Sequence, residues 1–207
     1  MDILDEVHYF SSAIYAVKKP EFLDTIRAVS EKFINRCKCD GQMTVMTTDF
    51  SNEPEAKEFA EYVSQTTWNI LKNQGYAMDQ FITYFTEMWT QEHNYQSSMD
   101  SHIHGAGVQM SVFYFLDVPD GGSVAIFHDP RPAKVIINLP EENPSKITLA
   151  SPSVSIQLQE GTIMFVPPFV MHQFTRNMNQ DKPVRFVHMN LSVSLAKKEN
   201  PSMVEVI

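Results

Sequence analysis

The sequence predicts a mainly β protein with supporting helices, an α+β chain whose core is a sandwich or barrel. Three observations carry that prediction. From about residue 80 the chain is written in short runs rich in β-branched and aromatic residues, separated by turn residues, with no further helical pattern. Before that point two stretches repeat their apolar residues at helical spacing, and two amphipathic helices need something flat to lie on. The chain has 207 residues, 43% of them hydrophobic, which is enough for one sizeable core and requires no second. A single domain over 1–207 is expected: a helix and strand support region over 1–79, a β core over 80–196 and a polar tail over 197–207.

The elements follow in order. Residues from Val7 to Val17 read as a strand. Pro20 then opens a helix, since its fixed φ suits a first turn, and Phe22, Ile26, Val29 and Phe33 fall on one face. A second strand is expected over Met43 to Thr48. The next helix takes Ser51 or Asn52 as its cap, has Pro54 in its first turn, aligns Phe59, Val63 and Ile70, and stops at Gly75. Strands are then expected near Phe81–Trp89, Ser98–His104, Gln109–Val118, Ser123–Phe127, Lys134–Asn138, Lys146–Leu149, Ser153–Leu158, Thr162–Val166, His172–Thr175 and Val184–Val193. Pro119-Asp120-Gly121-Gly122 and Glu160-Gly161 are tight turns suited to joining antiparallel neighbours.

Composition excludes several function classes. The net charge of −9 argues against a nonspecific nucleic-acid binder. There is no run of about eighteen apolar residues that would span a membrane. The acidic start, Met-Asp-Ile-Leu-Asp-Glu, lacks the basic and apolar regions of a signal peptide, so a cytoplasmic protein is expected. Cys37 and Cys39 are poorly placed to join each other and read as two free thiols.

Chemistry is concentrated in the histidines. In Met-Asp-Ser-His102-Ile-His104-Gly the two imidazoles share a strand face, because side chains alternate along a strand, and two imidazoles so held can bind one divalent metal. The pair alone is weak, since seven histidines in a chain of this size give a chance His-x-His in roughly one chain in five. His172 follows on a separate strand that a barrel can bring across, and Arg185, thirteen residues later in apolar company, reads as an anion anchor. His128 and His188 read as strand histidines outside the site.

Taken in order, several segments make the sequence resemble the Fe(II)- and 2-oxoglutarate-dependent oxygenases, most closely those common in bacteriophage and marine bacterial genomes. The segments are Phe10-Ser-Ser-Ala-Ile-Tyr15, Trp89, Ser101-His-Ile-His104, Ser111-Val-Phe-Tyr-Phe115, Phe127-His-Asp-Pro-Arg131, Gly161-Thr-Ile-Met-Phe-Val-Pro167, His172 and Arg185-Phe-Val-His-Met-Asn190. The resemblance implies a double-stranded β-helix, a cupin-like jelly roll. It implies Fe(II) held by His102, His104 and His172, with no catalytic residue beyond the metal ligands, and 2-oxoglutarate held through its distal carboxylate by Arg185. Dioxygen and a small-molecule or peptidyl substrate complete the expected partners, with hydroxylation the default outcome. His104 departs from the family's usual carboxylate, so Asp100 and Asp129 stay open as acidic alternatives. Two other readings remain: a cupin-type metal dioxygenase or isomerase without 2-oxoglutarate, in which Arg185 is not needed, and a noncatalytic jelly-roll binding module.

Overall fold

The computed structural model describes Asp5 and residues 10–196. In chain order the elements are β1 (Tyr15–Lys18), α1 (Leu23–Cys37), β2 (Thr44–Met46), α2 (Lys57–Asn73), β3 (Phe81–His93), β4 (Met99–His102), β5 (Met110–Asp117), β6 (Val124–His128), β7 (Ser153–Gln157), β8 (Thr162–Val166), β9 (His172–Phe174) and β10 (Val184–Leu195). A large sheet runs β1-β8-β5-β10-β3-β2 and a small one β4-β9-β6-β7. The pairings are antiparallel, and the eight strands from β3 to β10 form the double-stranded β-helix.

Two apolar cores share the large sheet. Its outer face packs Val187, Met189 and Leu191 of β10 against Ile26, Val29 and Phe33 of α1 and Phe59 and Val63 of α2. Its inner face meets the small sheet through Phe113, Phe115, Phe186 and Phe174, all buried. Side-chain alternation along β10 therefore puts odd-numbered residues under the helices and Phe186, His188 and Asn190 inside the barrel. The first half of β3 runs past β2, and α2 protects that bare edge: Trp68 Nε1 donates to the Phe81 carbonyl at 2.9 Å and Ser64 Oγ to the Thr83 carbonyl at 3.3 Å.

Several expectations are corrected. The Pro119–Gly122 and Glu160–Gly161 turns do not join neighbours: the first carries the chain from β5 in the large sheet to β6 in the small one, the second from β7 back to β8. Residues 134–138 and 146–149 are not strands. Pro132–Ile137 forms a 3-10 turn closed by Asn138 at φ 48°, and 146–149 is irregular. Val135, Ile136, Ile147 and Leu149 stand exposed, so the β-prone residues of this β6–β7 connection meet no strand edge on which that preference could act. Neither Ser51 nor Asn52 caps the second helix; Ser51 Oγ donates to Asp49, and Glu53 and Pro54 begin the first turn. The first strand narrows to β1, residues 7–9 of the expected span lying outside the described residues, as does the tail from 197. Cys37 and Cys39 are free thiols. No described helix is long and apolar enough to cross a membrane.

Candidate metal centre

The strand pairing builds the site. His102 at the end of β4 and His172 at the start of β9 are register partners, with ring centroids 4.5 Å apart. His104 lies just past β4 in the corner before β5, where its backbone N–H donates to the Pro168 carbonyl at 3.0 Å. Strand alternation therefore does not place it; that hydrogen bond does. One ligand atom from each of His102, His104 and His172 lies within 4.8 Å of the others, and the two Nε2 atoms of His104 and His172 are 3.4 Å apart.

The protonation pattern suits a metal. His102 Nδ1 donates to the Asp100 carbonyl at 2.8 Å and His172 Nδ1 to the Val170 carbonyl at 2.9 Å, which leaves both Nε2 lone pairs facing the cluster. Burial pushes the His172 pKa down to about 4, against the raising effect of the Val170 carbonyl and with help from His102. Burial, then His172 and His102, bring His104 to about 4 as well. Neutral imidazoles at pH 7 can bind a cation without first losing protons.

His104 has a competing partner. The Glu87 carboxylate accepts from Asn190 Nδ2 at 2.6 Å, which turns Asn190 Oδ1 toward Ser111, whose hydroxyl donates to it at 3.0 Å. With that single proton spent, Ser111 Oγ can only accept from His104 Nε2 at 3.0 Å and from His188 Nε2 at 3.1 Å. A metal at His104 Nε2 thus requires the ring proton to move to Nδ1. His188, read from the sequence as outside the site, stacks on His104 with centroids 5.0 Å apart and packs against Trp89. Asn190 and Glu87 were missed too; the motifs around them show polar residues in a strand but not which face they take.

The other expected residues lie elsewhere. Asp100 is exposed and contributes its carbonyl rather than its carboxylate. Asp129 is engaged by Arg131 and by Lys134, and these hydrogen bonds, Arg131 first, hold its carboxyl far below the usual range. Arg185 is on the helix side of the large sheet, where Nε donates to Glu92 at 2.7 Å and Nη1 to Glu31 at 2.9 Å. Burial pushes the Glu92 carboxyl up, and the bonds from Lys38 and Arg185 reverse that and hold it low. The three imidazoles fit a divalent metal; Arg185, with its back to them, does not fit the distal carboxylate of 2-oxoglutarate.

Fold and site together define a double-stranded β-helix protein with a candidate three-histidine metal centre at one end of the barrel. Residues 87–187 match the family model described as "Putative 2OG-Fe(II) oxygenase". The matched segment holds all three histidines of the candidate centre. Among curated proteins no sequence match is found. Similar solved structures include AviO1 from Streptomyces viridochromogenes Tue57, with a TM-score of 0.62 and 11% identity over 87% of this chain and 90% of that one. HygX from Streptomyces hygroscopicus, with nickel and 2-oxoglutarate bound, gives 0.56 and 9% identity over 87% and 83%. A Pseudomonas putida prolyl-4-hydroxylase gives 0.56 and 10% over 88% and 93%.

Proposed function

We propose that the protein is a non-haem iron oxygenase that binds Fe(II) through His102, His104 and His172. In this reading it uses dioxygen and a 2-oxo acid, 2-oxoglutarate being the one the matched family is named for, to hydroxylate a small-molecule or peptidyl substrate. The observation that carries the proposal is the convergence of three imidazoles, two of them fixed by carbonyls with Nε2 free. Bound iron would supply the activation of dioxygen. The chain's own part is to hold the metal, to keep water from it with Phe113 and Phe127 packed on His172, and to receive substrate at a rim where Ile103 and Met171 stand exposed.

The test is anaerobic Fe(II) or Co(II) titration of the protein and its alanine variants. One metal per chain is expected, lost in His102→Ala and His172→Ala and weakened at least about 100-fold in His104→Ala. A chain that takes up no stoichiometric metal is a binding module instead. The position of Arg185 favours a second reading, a cupin-like metal dioxygenase or isomerase that needs no 2-oxoglutarate. Substrate-dependent turnover that is indifferent to any added 2-oxo acid selects it.

A further inference from the structure

The walls beside the three histidines are unlike a dicarboxylate site. Among the described residues four cationic side chains are half-buried, Lys19, Arg27, Lys134 and Arg185, and each is held by a carboxylate: Glu21, Asp117, Asp129 and Glu92 respectively. Arg131, more exposed, spends Nε and Nη2 on the two oxygens of Asp129. Arg185 also borders a surface groove whose lining includes Asp117, Asp120, Glu160 and Asp181, so its charge is answered on the outer side of the sheet.

What does stand beside His104 is polar and neutral, or negative. Glu87 is linked to it through Asn190 and Ser111. Trp89 Nε1 and His188 Nδ1 are buried without a protein hydrogen-bond partner, one a donor and the other, given the Nε2 proton on His188, an acceptor. That combination suits a neutral group. Beneath lies Phe113, against His172 and His188 and backed by Phe174 and Phe186, and these rings give a carboxylate nothing to pair with. A carboxylate shut away from water without a cation loses its hydration and gains little in return, whereas an alkyl chain there gains from burial.

We infer that the barrel recognises a 2-oxo acid by its 2-oxo acid end alone, and that Glu87 and the phenylalanine floor select a monocarboxylic acid with a short apolar remainder over 2-oxoglutarate. This rests on the iron and 2-oxo acid reading above and names the cosubstrate class it leaves open. A buried charge-assisted anchor would favour the dicarboxylate by about 10- to 100-fold; this site withholds that factor.

The experiment is anaerobic titration of the Fe(II)-loaded protein with 2-oxoglutarate and with 2-oxobutyrate, followed by the visible charge-transfer absorption of the iron and 2-oxo acid complex. The expected result is 2-oxobutyrate binding at least as tightly as 2-oxoglutarate, and Glu87→Gln shifting the ratio at least about threefold toward 2-oxoglutarate while iron stoichiometry stays at one. A change of fold or packing alone would move both acids together. A tenfold preference of the unaltered protein for 2-oxoglutarate overturns the inference, whichever cation supplies it, and an unchanged ratio in Glu87→Gln overturns the role given to Glu87. If neither acid alters the spectrum of a protein that binds iron, it is the cosubstrate step of the proposed function that fails.

Discussion

His93 shows how a buried imidazole contributes to the acid limit of this fold. It lies on β3 with no exposed surface, accepts from Gln91 Nε2 at 2.8 Å and meets Phe186 edge-on with centroids 5.4 Å apart. Burial lowers its pKa from the ordinary 6.5 to about 4. Between those two values the unfolded chain binds a proton that the folded one refuses, so stability is full above 6.5 and drops as pH falls toward 4. At pH 5 the penalty from this one residue is about 2 kcal/mol. Urea unfolding of the metal-free protein at pH 7 and pH 5 should therefore show a smaller loss in His93→Gln than in the parent, by about that amount. Equal losses would mean that His93 titrates normally in the fold.

At the scale of elements, the corners matter more than the strands they join. Gly161 turns the chain from the small sheet to the large one at φ 72°, donates to the Phe115 carbonyl at 2.9 Å and accepts from Lys19 N–H at 2.7 Å. A Cβ there would sit 3.1 Å from Pro20 Cα, whereas one on Gly41, at φ 74°, would meet nothing within 4 Å. Gly41→Ala should cost about 1 kcal/mol for the left-handed backbone, and Gly161→Ala clearly more, in chemical denaturation; equal costs would mean that Pro20 yields freely. The helices and most strands were legible because their signals are local: Ile26, Val29 and Phe33 repeat at helical spacing, and turn residues bracket the β runs. The corners were not, because Gly121-Gly122 and Gly161 encode a reversal and not the sheet that receives the next strand. Arg185 failed for a related reason. Val184 to Leu191 is buried on both faces apart from the half-buried Arg185, so the sequence shows no alternation, and an inward and an outward arginine read alike. His104 was legible as a candidate ligand for the wrong reason, since β4 ends at His102 and a backbone contact with Pro168 brings it in.

For the whole molecule, the large sheet makes one cooperative unit of what could have been two. Strands β5, β8 and β10 each send alternate residues into both cores: Val112 and Phe113, Phe165 and Met164, Val187 and Phe186. The helix layer is tied to the same sheet by ion pairs, Arg27 to Asp117 and Lys38 to the buried Glu92. Loss of the barrel would strip the outer core of its floor, so metal held at the barrel mouth should also protect the helices. The chain's two tryptophans report on the two layers: Trp68 belongs to α2, and Trp89, with its ring centroid 4.3 Å from that of His188, to the barrel. At a metal concentration 100 times Kd, linkage gives about 2.7 kcal/mol, which for a chain of this size raises Tm by about 5–10 °C. Thermal unfolding of Trp68→Phe and Trp89→Phe, each with metal and with chelator, should show that rise with a common midpoint. If the Trp89 signal shifts with metal while the Trp68 signal does not, the layers unfold separately and the shared sheet does not couple them.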